Sequence, residues 1–139
     1  MGYNGIMPIK YQNPHFNPEK LSKHNIDRMA VGEVPEHSHV LDVGCATGFM
    51  GKYLQDKKQC RVIGLDLRLP ELAIAKKELA GVVQADIQDE KTIAKVLAVT
   101  KNKKFDVILA TSLIEHTAHP ETVIQNMKKL LKPSGIIIM

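Results

Sequence analysis

The sequence predicts an α/β protein with a doubly wound, mostly parallel sheet of about five strands and helices on both faces. Short runs of β-branched residues alternate with segments whose apolar residues recur at helical spacing. Such alternation is typical of βαβ units, whose right-handed crossovers place helices on both faces of a parallel sheet. The chain has 139 residues, which is the size of one such domain.

The strands are predicted from five short runs rich in valine, isoleucine and leucine. These runs are 40–43, 62–65, 82–85, 105–110 and 136–139. The last one reads Ile-Ile-Ile-Met, and a continuously apolar run is typical of a strand that is covered on both faces. We therefore expect a second copy or a partner chain to cover this strand, because a bare apolar edge promotes association.

The helices are predicted from apolar residues at spacings of three, four or seven positions. Four such segments lie between the strands, at 49–54, 70–79, 93–100 and 120–131. A further helix, 18–32, begins with a proline near its first turn and has Leu21, Ile26 and Met29 on its apolar side. The residues before it show no period. We therefore divide the chain into an N-terminal arm and helix, 1–39, and an α/β domain, 40–139.

The composition excludes several classes of protein. Hydrophobic residues make up 44% of the chain and charged residues 24%, which argues against disorder. No apolar run approaches the roughly 18 residues that span a bilayer, and the N-terminus lacks the apolar core of a signal peptide. Cys45 and Cys60 are expected at opposite ends of neighbouring parallel strands, too far apart for a disulfide. Free thiols fit a reducing cytoplasm, and no contact with membranes is expected.

Most of the net charge of +4 arises in the last part of the chain, residues 101–139, which has six basic and three acidic residues. The basic residues there are Lys101, Lys103, Lys104, Lys128, Lys129 and Lys132. We expect a solvated helix face, with a functional basic patch as the alternative. Nucleic acid is not expected as a partner, because the chain has three Phe, three Tyr and no recognisable RNA-binding motif. Four histidines show no metal-ligand spacing and are expected at the surface: His15, His24, His37 and His39.

A glycine-rich loop follows the first predicted strand, in the segment 40–54, which reads VLDVGCATGFMGKYL. Glycine permits a sharp turn from strand to helix and a close approach of ligand to backbone, and N–H groups at a helix start favour a carboxylate or phosphate. A P-loop is excluded, because Gly51-Lys52 is followed by Tyr53 and no hydroxyl is available for Mg²⁺. The loop therefore predicts a ligand other than an NTP.

The spacing of Asp42, Gly44, Ala46 and Gly48 separates the remaining candidates. A dinucleotide fingerprint, G-x-G-x-x-G, fits poorly because alanine stands between two glycines four positions apart. The order D-x-G-x-G-x-G, with alanine for the middle glycine, closely resembles the S-adenosylmethionine loop of class I methyltransferases. The extra methyl group narrows the loop but leaves its backbone donors in place. A glycine-rich βα turn without a ligand is the alternative for the loop alone.

Acidic residues after the second and third strands extend this resemblance. Asp66 lies about 20 residues beyond Gly44, where a carboxylate accepts hydrogen bonds from ribose hydroxyls. In the family, an acidic side chain and the next backbone N–H after the third strand meet the adenine, which points to Asp86 and Ile87. The resemblance implies the cofactor-binding residues Asp42, Gly44, Cys45, Ala46, Thr47, Gly48, Asp66, Leu67, Asp86, Ile87, Thr111 and Ser112.

The resemblance covers residues 40–139. FDVILA at 105–110 resembles the family's fourth strand, and PETVIQNMKKLLKPSG at 120–135 resembles its next helix and turn, with Ser134 for the first glycine. The family implies a Rossmann-like sheet in the order 3-2-1-4-5, here lacking the last two strands, so that a C-terminally truncated domain is expected. It also implies S-adenosyl-L-methionine as cofactor and S-adenosyl-L-homocysteine as product.

The catalytic residues are less evident, since methyl transfer needs a base only where the acceptor must lose a proton. His116, with Glu115 beside it after the fourth strand, is the candidate base, because a neutral imidazole can take a proton from a hydroxyl. One alternative is that the pair only shapes the loop. Another is that it joins His119 in a metal site, although the further ligands that such a site needs are not evident and we predict no metal. Tyr11, with His15 and Phe16, could close over the donor or simply pack.

The resemblance implies a methyltransferase that acts on a small-molecule or saccharide-type acceptor. One alternative is a non-catalytic fragment or partner subunit that binds S-adenosylmethionine. A remote alternative is an NAD-dependent oxidoreductase.

Overall fold

The computed structural model describes Pro8, Ile9 and residues 11–139. The rest of the predicted N-terminal arm, residues 1–7 and Lys10, lies outside the described residues. Within the described part, no helix combines the length and apolarity needed to cross a membrane.

The five predicted strands form one parallel sheet. They are β1 (His39–Val43), β2 (Arg61–Asp66), β3 (Gly81–Gln84), β4 (Phe105–Leu109) and β5 (Leu131–Ile138). Their order is β3-β2-β1-β4-β5, and each neighbouring pair is parallel. The order reverses direction between β1 and β4, which confirms the predicted doubly wound fold.

Helices cover both faces of this sheet. They are α1 (Ile26–Glu33), α2 (Phe49–Lys58), α3 (Leu69–Glu78), α4 (Lys91–Val99) and α5 (Pro120–Leu130). One core cluster joins buried side chains of α1, α2 and α3 to one face of the sheet, and a second joins α4 and α5 to the other. Along β1, Val40 belongs to the first cluster and Leu41 to the second, because successive side chains of a strand point to opposite faces.

The predicted helix 18–32 is interrupted in the structure. A 3-10 turn at Pro18–Lys20 ends in the extended residue Leu21, and α1 begins only after Asn25. The Asn25 side chain accepts the N–H of Arg28 at 3.1 Å, a helix cap that starts a new helix. The predicted apolar side is also wrong, since Ile26 and Met29 are 59% and 56% exposed.

The last strand begins earlier than predicted. Leu131 already pairs with Phe105, and regular pairing resumes where Ile136 meets Val107. The predicted Lys-Pro-Ser-Gly turn is thus a bulged segment within β5, since proline lacks the N–H that a ladder requires.

Candidate functional site

A cleft of about 550 Å³ opens beyond the carboxyl ends of β1, β2 and β4, where the strand order reverses. Parallel α/β sheets bind their ligands at this point. The cleft is lined by Tyr11, Asp27, Asp42, Gly44, Cys45, Ala46, Phe49, Met50, Asp66, Arg68, Thr111, Ser112, Leu113 and His116.

The loop between β1 and α2 turns through left-handed backbone. Gly44 and Gly48 have φ of 77° and 81°, and Ala46 has φ of 49°. The N–H groups of Gly44 and Cys45 both donate to the carbonyl of Leu65, at 2.7 and 3.1 Å. These bonds tie the start of the loop to the end of β2 and so fix its backbone beside the cleft.

The Asp66 carboxylate joins this loop to the segment after β2. Its Oδ2 accepts the Ala46 N–H at 2.8 Å, and its Oδ1 accepts the Arg68 N–H at 3.0 Å. An ionised carboxylate offers about four acceptor positions, so each oxygen can still accept one more hydrogen bond. Asp66 can therefore hold the loop and accept two hydroxyl groups of a ligand at once.

The cleft is acidic. Asp42, on β1, is 5% exposed, and burial together with the nearby charges of Asp66 and Asp27 raises its pKa to about 7. Burial also raises the pKa of Asp27, which α1 contributes. The guanidinium of Arg68 is paired with Glu71, Nε to Oε1 at 2.8 Å. The carboxylates therefore favour a cationic ligand group.

The N-terminus of α2 adjoins the same loop. Gly48 occupies the cap position and has no side chain to accept the first N–H groups of the helix. These donors, together with the positive end of the helix dipole, favour an anionic group such as a carboxylate. The cleft thus has an acidic wall beside a helix start that attracts anions.

His116 lies at the mouth of the cleft. Its side chain is 76% exposed, and Nε2 is 4.0 Å from Oε1 of Glu115. Thr111 and Ser112 line the same wall after β4, and Ser112 is held in left-handed backbone. An imidazole in this position can meet an acceptor that enters from solvent.

The structure brings together some of the cofactor-binding residues predicted from the sequence, but not all. Those lining the cleft are Asp42, Gly44, Cys45, Ala46, Asp66, Thr111 and Ser112. Thr47 lines a neighbouring cavity of about 280 Å³, and Gly48 starts α2 beside it. Leu67, Asp86 and Ile87 lie outside the cleft lining.

The residues after β3 make contacts of their own. Asp86 accepts the Gln88 N–H through Oδ1 at 2.9 Å, and the buried Ile87 accepts the Asn126 side chain through its carbonyl at 2.8 Å. Leu67 is exposed and accepts the Gln84 amide through its carbonyl. Among the N-terminal residues, Tyr11 lines the cleft, and Phe16 packs on Phe49 with ring centroids 5.2 Å apart.

Sequence reasoning missed Asp27 and Arg68. Nothing in the spacing of α1 indicated that Asp27 would face Asp42, because only packing on the sheet sets that approach. Arg68 carried a weak signal, since it follows Asp66 by two positions, a common place for an Asp side chain to bind a backbone N–H. Within residues 8–9 and 11–139, no group of three or more His, Cys, Asp or Glu could hold a metal ion.

The family match and the curated relatives of this chain are all methyltransferases. The methyltransferase domain family matches residues 41–137. A ubiquinone biosynthesis O-methyltransferase of Leptothrix cholodnii is 27% identical over 124 residues, which is 89% of this chain and 51% of the relative. The enzyme of the same name from Actinobacillus pleuropneumoniae is 34% identical over 104 residues, covering 70% of this chain and 43% of the relative.

A solved structure agrees with these relatives. A TehB-like SAM-dependent methyltransferase of Corynebacterium glutamicum has a TM-score of 0.62 and 25% identity, covering 80% of this chain and 58% of that chain. The chain spans about half the length of the curated relatives it matches. The family match runs from the first strand to the last, and the fold and the glycine-rich loop agree with it. The chain therefore belongs to the methyltransferase domain family, the S-adenosylmethionine-dependent methyltransferases that the loop at 42–48 resembles.

Proposed function

We propose that this chain binds S-adenosylmethionine in the cleft at the carboxyl ends of β1, β2 and β4 and serves the transfer of its methyl group to a small molecule. The cofactor supplies a methyl group made electrophilic by a sulfonium centre. The single observation that carries the proposal is the pairing of a left-handed glycine loop with three carboxylates in one cleft, Asp27, Asp42 and Asp66.

Asp66 is the proposed ribose ligand. Its two oxygens already hold the loop through Ala46 and the chain after β2 through Arg68. The two acceptor positions that remain suit a pair of adjacent hydroxyls. Binding the diol would therefore add hydrogen bonds without breaking those that shape the loop.

Asp42 and the start of α2 are the proposed contacts of the donor's amino acid end. The Asp42 carboxyl favours a cationic group, and the N–H groups after Gly48 favour a carboxylate. Asp86 and Ile87 after β3, with Leu67 beside them, remain the proposed adenine contacts. Cys45, Thr111 and Ser112 would complete the enclosure of the donor.

The spacing of the loop weighs against the oxidoreductase alternative. A dinucleotide site needs the order G-x-G-x-x-G, whereas Ala46 stands between Gly44 and Gly48 here. The non-catalytic alternative is favoured by one observation, namely that the chain spans about half the length of its curated relatives.

The proposed acceptor is a small molecule with a hydroxyl group. The names of the relatives support an O-methylation, and His116 at the mouth of the cleft is the proposed base for the hydroxyl proton. A saccharide hydroxyl and a phenol both present an oxygen that loses its proton when it is methylated. Buried free thiols at Cys45 and Cys60 support a reducing cytoplasm as the location.

Titration calorimetry tests donor binding directly. We expect heat on adding S-adenosylmethionine or S-adenosylhomocysteine and none on adding NAD. Asp66→Ala should weaken donor binding by about 1–3 kcal/mol, as for lost hydrogen bonds to a buried group. Asp56→Ala, on the exposed face of α2, is the matched control and should leave the affinity unchanged. Equal affinity of the Asp66 variant would contradict the proposed ribose contact.

A second measurement separates an enzyme from a binding fragment. Release of S-adenosylhomocysteine is followed with a panel of phenols and sugars. For an enzyme, His116→Asn should lower kcat and leave donor affinity unchanged, because the imidazole lies at the mouth of the cleft. Donor binding without turnover on any acceptor would support the non-catalytic alternative.

The edge of the sheet is the proposed partner surface. β5 pairs with β4 on one side, and Ile136 is 44% exposed. An apolar edge strand with open backbone groups can pair with another strand. We propose that a second copy or a partner chain covers this edge.

A further inference from the structure

A second cavity, of about 530 Å³, lies at the amino ends of the strands. The proposed donor cleft lies at the other end of the strands, where their carboxyl ends meet. The second cavity is bounded by the first residues of β1 and β2, by the turn between α4 and β4, and by the start of β5. Its charged lining residues are Arg61, Lys101, Lys103, Lys104 and Lys132. The cleft already described uses none of them.

The turn after α4 explains why three of these lysines converge. Lys101 and Asn102 both have left-handed backbone, with φ of 53° and 64°. The Asn102 N–H donates to the Leu97 carbonyl at 2.8 Å, which reverses the chain at the end of the helix. Lys103 and Lys104 then lead directly into β4. The basic residues are therefore placed by a hydrogen-bonded turn on a loop, and the predicted solvated helix face does not describe them.

The positive charge in this cavity is largely uncompensated. Lys132 is paired with Asp106, Nζ to Oδ1 at 2.8 Å. Across residues 8–9 and 11–139, no carboxylate pairs with Arg61 or with the lysines of the turn, 101–104. Four cations that share one concavity repel one another, so that a bound anion would relieve this repulsion.

His39, which the sequence places at the surface, is half-buried and forms part of the cavity wall. Its ring stacks on Phe105 with centroids 4.4 Å apart, and Nδ1 is 3.1 Å from the Lys104 carbonyl oxygen. Nε2 is buried and has no hydrogen-bond partner in the described part of the chain. With the Nδ1 proton donated to that carbonyl, Nε2 is an acceptor when the ring is neutral and becomes a donor when it is protonated.

The charges around His39 couple its protonation to the cavity. Burial lowers its pKa, as do the nearby Arg61 and Lys132, whereas the Lys104 carbonyl and Asp106 act in the opposite direction. Asp106 also accepts the His39 backbone N–H at 2.7 Å, which fixes the residue at the start of β1. An anion in the cavity would favour the protonated ring, because opposite charges attract.

We propose that this cavity binds a small ligand that carries several adjacent phosphate groups. Lysine and arginine are the side chains that bind phosphate, and the cavity has the volume of a small-molecule site. A single-stranded nucleic acid is the less suitable occupant, because it needs accessible aromatic rings for base stacking, and Phe105 is fully buried beneath His39. The site is separate from the donor cleft and does not depend on the proposed methyl transfer.

Calorimetry on the whole chain at low ionic strength tests the proposal, with inorganic tripolyphosphate as the probe. We expect tripolyphosphate to bind at least about tenfold more tightly than orthophosphate, because several phosphates meet several cations. The double variant Lys101→Ala/Lys104→Ala should weaken binding by about tenfold. The control Lys76→Ala/Lys77→Ala removes the same charge from exposed positions on α3 and should change the affinity by less than about twofold.

The ¹⁵N signals of the histidine rings provide a second readout that reports the place of binding. Tripolyphosphate should shift the Nε2 signal of His39 and leave that of the exposed His24 in place. Equal binding of tripolyphosphate and orthophosphate, equal loss in the control variant, or an unmoved His39 signal would each overturn the proposal. A trinucleotide that binds more tightly than tripolyphosphate through the same lysines would also overturn it, in favour of nucleic acid.

Discussion

Asp42 illustrates how one buried side chain affects the electrostatics of the proposed donor cleft. Its carboxyl on β1 is buried, and the charges of Asp66 on β2 and Asp27 on α1 act on it. Burial and the two carboxylates raise its pKa from 3.8 to about 7. A cationic ligand group beside it would favour the ionised form, since opposite charges attract strongly where water is excluded.

Donor affinity should therefore rise with pH. Between pH 6 and 8 the fraction of ionised Asp42 increases about tenfold, and the affinity for S-adenosylmethionine should follow it. Asp42→Asn should abolish this rise and leave only the titration of the donor itself, as measured by calorimetry at both pH values. A constant affinity in the unmodified chain would show that the donor's cationic groups do not meet Asp42.

The same residue predicts a pH-dependent stability. The folded pKa exceeds the unfolded value, so the folded state binds more protons between about pH 4 and 7. The contribution of Asp42 is therefore fully favourable below pH 4 and is lost as the pH rises through 7. Asp42→Asn should flatten the free energy of unfolding over this window in urea titrations. Asp56→Asn, at an exposed site, should leave the profile as it was.

Ala46 occupies a backbone conformation that suits glycine. Its φ of 49° costs a non-glycine residue about 1 kcal/mol or more. Ala46→Gly should therefore preserve or raise stability, even though glycine in ordinary backbone lowers it. Ala73→Gly, in the middle of α3, is the control and should cost about 1 kcal/mol. Thermal unfolding measures the stability of both variants. An equal loss of stability in the two would contradict the backbone strain at Ala46.

At the level of secondary structure, α1 shows how a helix depends on a residue far along the chain. α1 is eight residues long and has no basic residue in its last turn. Lys58, at the end of α2, supplies this charge instead. Its Nζ donates to the carbonyls of Val31, Gly32 and Val34 at 2.7, 3.1 and 2.6 Å. One ammonium therefore satisfies three carbonyls at the end of α1 and joins α1 to α2.

Replacing Lys58 should therefore destabilise the fold more than its position suggests. Lys58→Met keeps the aliphatic stem and removes the donors, and should lower the free energy of unfolding by about 1–3 kcal/mol. Lys57→Met, an exposed neighbour, should change it by less than about 0.5 kcal/mol. Urea unfolding measures both, and similar values for the two would mean that solvent replaces the lost cap.

For the molecule as a whole, the parallel sheet separates two chemistries. Its carboxyl end has the acidic cleft of Asp27, Asp42 and Asp66, and its amino end has the basic cavity around His39. The two sites lie apart because all strands of a parallel sheet start at one end of the sheet and finish at the other. The two proposed ligands would therefore not compete for the same site.

The open edge of β5 predicts association. Light scattering should give a mass above the 15.5 kDa of one chain, increasing with concentration. Ile136→Lys should return the mass to that of one chain, because a charge on an edge strand opposes pairing. Ile26→Lys makes the same change on the exposed side of α1 and should leave the association intact. A single-chain mass at every concentration would contradict the proposed partner surface.

Local patterns were sufficient for much of the fold. The alternation of runs found all five strands, and the glycine loop with Asp66 located the cleft, because both depend on residues near one another in the chain. The sequence did not predict that 18–32 divides into two elements. The apolar spacing continues through Asn25, whereas the side chain of Asn25 starts a new helix by accepting the Arg28 N–H. The sequence also did not predict the early start of β5. Pro133 and Gly135 are typical of turns, and only the pairing with β4 extends the strand to Leu131.

Chain order and residue spacing alone thus established the parallel sheet, the glycine loop and the family resemblance. Tertiary packing was needed to bring Asp27 near Asp42, to stack His39 on Phe105, and to gather Arg61 and the lysines of the 101–104 turn around one cavity. The physical reason is distance along the chain. Spacing encodes the period of a strand or helix and the turns between them, whereas the charge and burial around a group depend on elements that only the folded sheet brings together.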